Sequence, residues 1–274
     1  MALALGSRAR TAGYGLTAFD AIGSTNAEAL TAARGGERRS TWFITTEQTA
    51  GRGRRQRVWV APRGNLASSV LEVIDAQPSV AATLGFAAGL ALERALRNVS
   101  IEALARGGAN VDYTLKWPND VLGNKQKLSG ILLEAEALAD NRLAVVVGIG
   151  TNVIAAPEGT PYPATSLRAL GVDVGAEDVF AALSDAWAEC FGIWNSGRGF
   201  GDIRRLWLER AAGLGEAVSI QSGSSTVIGT FETIDDAGCM VIVTPSGARE
   251  TIAAGDVYFG TAGSTGSRYW RDPT

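Results

Sequence analysis

The chain has 274 residues, 46% of them hydrophobic and 19% charged, with a formal net charge of −3; this supports a buried core and excludes wholesale disorder and a global basic field for nucleic acid. It has no histidine, so Ser-His and Cys-His nucleophiles, imidazole metal sites and the usual neutral-pH base are removed together, and any chemistry must run on Lys, Arg, Asp and backbone dipoles. Cys190 and Cys239 lie in unrelated segments without metal or disulfide spacing, and neither a signal-like core nor an apolar run of about 18 residues is visible, so the expected location is the cytoplasm.

Residues 14–20 read as a short strand. Ser24, Thr25 and Asn26 then open an alanine-rich helix that should stop near Gly35-Gly36, with Thr25 and Glu28 spaced as a capping box. A strand at 41–47 runs into the loop QTAGRGRRQRVW, and another at 66–74 follows a turn at 62–65. The spacing of Leu84, Ala88, Leu92 and Leu96 predicts one long helix over 79–97. After a glycine-rich connection at 107–110, three β segments are expected, VDYTLKW, KLSGILLEAEAL and RLAVVVGIGTNV, with 143–149 a central strand. A proline-containing stretch at 155–165 precedes helices at about 178–195 and 202–211. From 215 onward, short β runs around a DDAG turn at 235–238 predict a small five-stranded barrel ending near Gly260, and residues Thr261 to Thr274 read as a flexible tail.

The densest motif is Gly51-Arg52-Gly53-Arg54-Arg55-Gln56-Arg57, four arginines and two glycines in seven residues. Glycine lets a backbone approach a ligand, and guanidinium forks match carboxylate and phosphate oxygens two at a time. A solvated basic loop or a nucleic-acid contact fits the same residues. Gln48 upstream and Trp59 downstream add an amide for a polar ring and an aromatic face for a base, which favours a small ligand joined to a nucleotide.

Lys116-Trp117-Pro118-Asn119-Asp120 ends a strand in a sharp turn, because proline fixes its own φ and biases Trp117 toward extended backbone. Lys116 is then held rigidly, either in an ordinary turn or where a lysine can bridge a carboxylate and a phosphate. Ser129 and Gly130 interrupt the apolar run KLSGIL, which marks a bulge or a strand with something lying against it. Gly148-Ile149-Gly150-Thr151-Asn152-Val153 carries the same ambiguity, and Ser24-Thr25-Asn26 fits any helix start.

Taken in order, STN, QTAGRGR, KWPND, KLSGIL and GIGTNV resemble the catalytic domain of biotin protein ligases. Each motif is weak alone, but the ordered set spans about 130 residues, and the resemblance continues through the C-terminal β runs. It implies an α+β fold: a mixed β-sheet backed by helices over residues 1–213, of the biotin/lipoate ligase type, then a small SH3-like barrel over 214–260 and a tail over 261–274. The same resemblance puts Ser24, Thr25, Asn26 and Gln48 at the ureido end of biotin, and Gly130 in the wall of its pocket. Gly51, Arg52, Gly53 and Arg54 belong to the loop that closes over it, and Lys116 lies near both the biotin carboxylate and the α-phosphate. Arg54, Arg57, Trp59, Asn119, Lys127 and Asn152 fall on the nucleotide side, and Lys116, Arg52 and Arg54 become the catalytic candidates, with no metal held by the protein itself.

Two departures stand out. Gln56 replaces the glycine usual in the GRGRRGR pattern, which bears on the loop conformation, and only 23 residues precede Ser24, too few for the winged helix of relatives that also repress transcription. A monofunctional ligase is therefore expected, a monomer or homodimer with no DNA or membrane partner. The implied reaction joins biotin to ATP, with Mg²⁺ on the phosphates, and passes biotin from biotinyl-5′-AMP to a lysine of a carboxyl carrier domain. The arginine loop should be mobile when the site is empty and order over anionic ligand. A lipoate or octanoate enzyme of similar fold is the alternative enzyme, and a nucleic-acid module using the arginine loop the alternative of another class; the acidic composition weakens the second.

Overall fold

The structure is a computed structural model that describes residues 3–160, 162–222 and 225–259. The segment expected as a tail lies outside the described residues. The chain begins with helix α1 (Ser7–Thr11), strand β1 (Gly15–Phe19), helix α2 (Thr25–Arg34) and strand β2 (Thr41–Thr45). It continues through β3 (Leu66–Ile74), α3 (Pro78–Ala82), α4 (Leu84–Ala105), β4 (Tyr113–Lys116), β5 (Asp120–Gly123), β6 (Gln126–Ala137) and β7 (Leu143–Thr151). Helices α5 (Ala176–Trp194) and α6 (Phe200–Leu208) lead to β8 (Ala217–Ser222), β9 (Ser225–Ile234), β10 (Met240–Val243), β11 (Arg249–Ile252) and β12 (Asp256–Phe259).

Seven strands form one mixed sheet in the order β1-β2-β3-β7-β6-β5-β4, parallel only between β1 and β2. Side chains alternate across such a sheet. Leu66, Val70 and Ile74 of β3 and Val145, Val147 and Ile149 of β7 therefore share the face that packs with α4 and α5 in the main core. Leu71, Ala144 and Val146 point to the other face, where α2 supplies Ala29 and Ala33 to a smaller cluster. That cluster covers only part of its face, and the uncovered part holds the site.

The last five strands form the second sheet, β11-β10-β9-β8-β12, and its apolar residues Val218, Phe231, Met240 and Val257 join the same main core. Two further contacts fasten it to the rest. Trp117 Nε1 donates to the Gly238 carbonyl at 3.1 Å, and residues 210–212 run beside β4, with Leu115 N donating to Arg210 O and Ala212 N to Leu115 O, both at 2.8 Å.

Several local expectations change. The single helix foreseen over 79–97 is two, interrupted at Thr83 and extended to Ala105, because the apolar spacing runs on through the buried Val99 and Ala103. By length and composition the stretch 78–105 could cross a membrane, but most of it is buried inside the fold. The capping residue of α2 is Ser24, whose side chain accepts from Ala27 N, which leaves the Thr25 hydroxyl for other work. The KWPND segment is a hairpin turn, since Asp120 opens the unforeseen strand β5 in register with Lys116. Helix α1 is also new; the backbone N–H of Gly6 and Ala9 reach Ser184 and Asp185 of α5.

Glu72 on β3 is a buried acid that lines neither cavity of the described residues. It accepts from Trp187 Nε1 at 2.9 Å and Ser40 Oγ at 2.5 Å, and burial raises its pKa to about 7. A carboxyl raised above its unfolded value contributes most at low pH, and that contribution is lost as pH climbs through the folded value. Glu72→Gln should therefore gain thermal stability relative to the parent between about pH 5 and pH 8. Parallel melting curves check this, and a gap independent of pH would refute it.

Candidate active site

The alternation that builds the sheet also leaves part of it bare. Ala67 of β3, Gly150 of β7 and Gly130 of β6 stand side by side in register; in the next row come Ser69, Gly148 and Leu132. All project to the face that α2 only partly covers. A Cβ on Gly148 would lie 2.2 Å from Asn26 Oδ1, one on Gly150 2.5 Å from the Trp59 ring, and one on Gly130 3.2 Å from it. The glycines thus admit two side chains against the sheet backbone, beside a cavity of about 370 Å³. Both readings left open for Ser129-Gly130 are met, since the β5–β6 register slips at Leu128 and the Trp59 ring lies against Gly130.

One end of the cavity is polar and prearranged. Gln48 Oε1 accepts from the Thr25 N–H at 3.0 Å and from its hydroxyl at 3.2 Å. Ser69 Oγ lies 2.7 Å from Thr25 Oγ1 and 2.6 Å from Asn26 Oδ1, with one proton to donate. Asn26 Nδ2 donates to Glu134 at 2.8 Å, and Arg52 reaches the same carboxylate at 3.2 Å. Ser24 also lines this end.

The arginine segment folds back as a small hairpin: Trp59 N donates to Gly51 O at 3.0 Å and Gly53 N to Arg57 O at 2.7 Å. Arg54–Gln56 make a tight 3₁₀ turn in which Arg55 has φ +54°, a left-handed conformation unusual for a side chain of this size. Arg52, Gly53, Arg54 and Arg57 border the cavity. Gly51 does not; a Cβ there would meet the Trp59 carbonyl at 2.4 Å, so its place is in the closing of the hairpin. Arg54 donates to Asn119 Oδ1 at 2.8 Å and to Gly255 O at 3.4 Å, and burial draws its pKa below the ordinary value.

At the opposite end Lys116 is buried, and among the described residues it has no ion-pair partner. Its ammonium stands 4.3 Å from the centroid of the Tyr162 ring and 5.6 Å from that of Phe259. Burial pushes its pKa down, against the pull of Asp120 and with the push of Lys127. Asp120 is engaged elsewhere, 2.7 Å from Lys127 Nζ. Asn119 is doubly fixed, Nδ2 donating to Ile131 O at 2.7 Å while its oxygen holds Arg54. Asn152 lines the cavity, but its Nδ2 donates to Thr165 O at 3.0 Å and its backbone to Leu128 O, so the residue mainly secures the loop behind it.

Sequence reading missed several participants. Glu134 ties Asn26 to Arg52, Ser69 joins Thr25 to Asn26, and Asn65 accepts from the backbone N–H of Val153, Ile154 and Ala155. Tyr162, Gly255 and Asp256 border the cavity from segments outside the recognised motifs. A turn-forming Asn65 after Gly64 was visible in sequence; the partners of Glu134 and Asp256, about 80 and 200 residues away along the chain, were not.

The chain matches the biotin/lipoate A/B protein ligase family over residues 28–152 and the biotin protein ligase C-terminal domain over 213–260. It is 41% identical over 246 residues to a biotin–[acetyl-CoA-carboxylase] ligase of Paracoccus denitrificans, covering 86% of this chain and 97% of that one. A Mycobacterium tuberculosis protein of the same name is 34% identical, over 90% of each chain. The fold is also that of an Aquifex aeolicus biotin protein ligase solved with biotin and ATP, with a TM-score of 0.71, 24% identity, and coverage of 90% of this chain and 98% of that one. By these matches the chain belongs to the biotin protein ligase family.

The close approach at Gly148 has a measurable consequence. Gly148→Ala forces Asn26 off its partners and should destabilise the fold by about 1–3 kcal/mol, as overpacking does. Gly201→Ala, in α6 with open space around it, should be neutral or stabilising by about 0.5–1 kcal/mol. Denaturant titration of both variants checks the contrast; equal stabilities would contradict it.

Proposed function

We propose that this chain activates biotin with ATP to biotinyl-5′-AMP and transfers biotin to a lysine of a carrier domain from a biotin-dependent carboxylase. The catalytic unit is assigned to residues 1–213 and the SH3-like barrel to 214–260. The observation that carries the reading is Lys116, a buried cation without a carboxylate partner, on the wall of the same cavity as Arg52 and Arg54. A cavity so lined attracts anions.

Ser24, Thr25, Asn26 and Gln48 suit a polar ureido ring, the row of small residues suits an apolar chain, and Lys116 is assigned to that chain's carboxylate. Arg54, Arg57, Trp59, Asn119, Lys127 and Asn152 are assigned to the nucleotide side. In the first step a carboxylate oxygen attacks the α-phosphorus and pyrophosphate leaves; in the second, the carrier amine attacks the anhydride carbonyl and AMP leaves. Two anions must meet in the first step. Lys116 and the arginines offset their repulsion, and an arriving anion in turn favours the protonated lysine. Mg²⁺ enters with ATP: among the described residues no cluster of three acidic or cysteine groups could hold an ion alone, so phosphate oxygens and water would supply most of its ligands.

The match of the C-terminal segment to a biotin ligase domain favours biotin over lipoate or octanoate. ATP–pyrophosphate exchange should therefore respond to biotin and not to the other two acids. Purified protein with biotin, ATP, Mg²⁺ and a carrier domain should yield a biotinylated lysine by mass, and Lys116→Ala should slow adenylate formation by about 10²- to 10³-fold. Exchange driven by lipoate alone, or an unimpaired Lys116→Ala protein, would overturn the assignment.

A further inference from the structure

The arginine hairpin belongs to the catalytic unit, yet most of its guanidinium groups bind a pair of residues on the other sheet. Arg57 lies 2.6 Å and Arg55 3.1 Å from one oxygen of Asp256, and Arg54 donates to the adjacent Gly255 carbonyl at 3.4 Å. Asp256 opens β12, which is anchored by antiparallel pairing with β8 through Val257, Tyr258 and Phe259. Its side chain is largely shielded, 15% exposed, whereas the arginines are about half exposed. A shielded acid therefore holds more exposed cations.

The base of the hairpin has other anchors, with Arg52 on Glu134, Arg54 on Asn119 and the Trp59 ring over Gly130 and Gly150, but its tip has few. Its own strands contribute one bridge, Arg52 with Val58, and its tip has Arg55 in a left-handed conformation that a non-glycine residue avoids without external contacts. Val58 and Val60 are 77% and 55% exposed, so apart from Trp59 at its base the hairpin gains little from burial of apolar side chains.

We propose that Asp256 is a positioning residue that latches the arginine hairpin over the cavity, so that closure of the site depends on the C-terminal sheet. Through Arg57 and Arg55 it sets the tip, and the tip sets Arg54 against Asn119 at the cavity wall. The consequence for ligand affinity rests on the adenylation reading above; the consequence for the hairpin itself does not.

Limited trypsin digestion of the full-length protein without ligand tests the latch, because the hairpin offers four arginines to cleavage. Losing two charge-assisted contacts in Asp256→Asn should raise the cleavage rate within residues 52–57 by about 5- to 30-fold at an unchanged melting temperature. Asp256→Glu should restore slow cleavage, and biotin with ATP should protect the Asn variant. In pyrophosphate exchange, Asp256→Asn should raise KM for biotin and ATP and Asp256→Glu should bring it back toward the parent value, a recovery that partial unfolding would not produce. Equal cleavage of Asp256→Asn and the parent protein would overturn the latch. Absent exchange in the parent protein would instead sink the adenylation reading and leave the cleavage contrast standing.

Discussion

The strip of missing side chains across the central sheet is the constraint on which the rest of the molecule depends. Ala67, Gly150 and Gly130 sit in register on three neighbouring strands, with Gly148 one row on. A side chain at Gly150 or Gly148 would collide with Trp59 or Asn26, and one at Gly130 would crowd the Trp59 ring. A sheet face stripped in this way would ordinarily lose burial, but the opposite face packs against two long helices with Trp187 and Trp194 among its largest buried residues. Stability is concentrated on one side, and the other is free to hold a cavity.

The cations on and beside that cavity differ in their partners, and Arg54 is held by Asn119 and the Gly255 carbonyl. Lys127, Arg52, Arg55 and Arg57 have carboxylate partners within the fold, at Asp120, Glu134 and Asp256. Lys116 has aromatic rings for neighbours and is buried, so its charge is expensive until an anion arrives. The carboxylate-paired groups hold shape, while Lys116 and Arg54 keep charge that no carboxylate of the described residues offsets directly. Family membership, shown by the relatives, gives this division a chemical purpose, since adenylation requires a carboxylate and a phosphate to share one small volume.

The C-terminal sheet is more than an appendage. Its apolar residues continue the main core, its turn at Gly238 takes the indole N–H of Trp117 next to Lys116, and its last strand carries Asp256. The linker at 210–212 lies along β4 and so steadies the strand that ends in Lys116.

The local elements and the motif order were legible in the amino-acid sequence because they depend on residue type at short range: helix starts at Ser24, glycine in a tight hairpin, proline after Trp117, alternating apolar residues in strands. The same short-range rules missed the break at Thr83, misplaced the α2 cap and passed over β5, where local preferences are shallow and packing decides. Which glycines were structural and which faced a ligand was undecided until register placed Gly130 beside Gly150 beneath Trp59, and Gly51 outside the cavity. Pairings such as Asp256 with Arg57 or Glu134 with Asn26 and Arg52 belonged to the tertiary structure alone, because a charge finds its partner through space and one sequence records no distance between residues far apart along the chain.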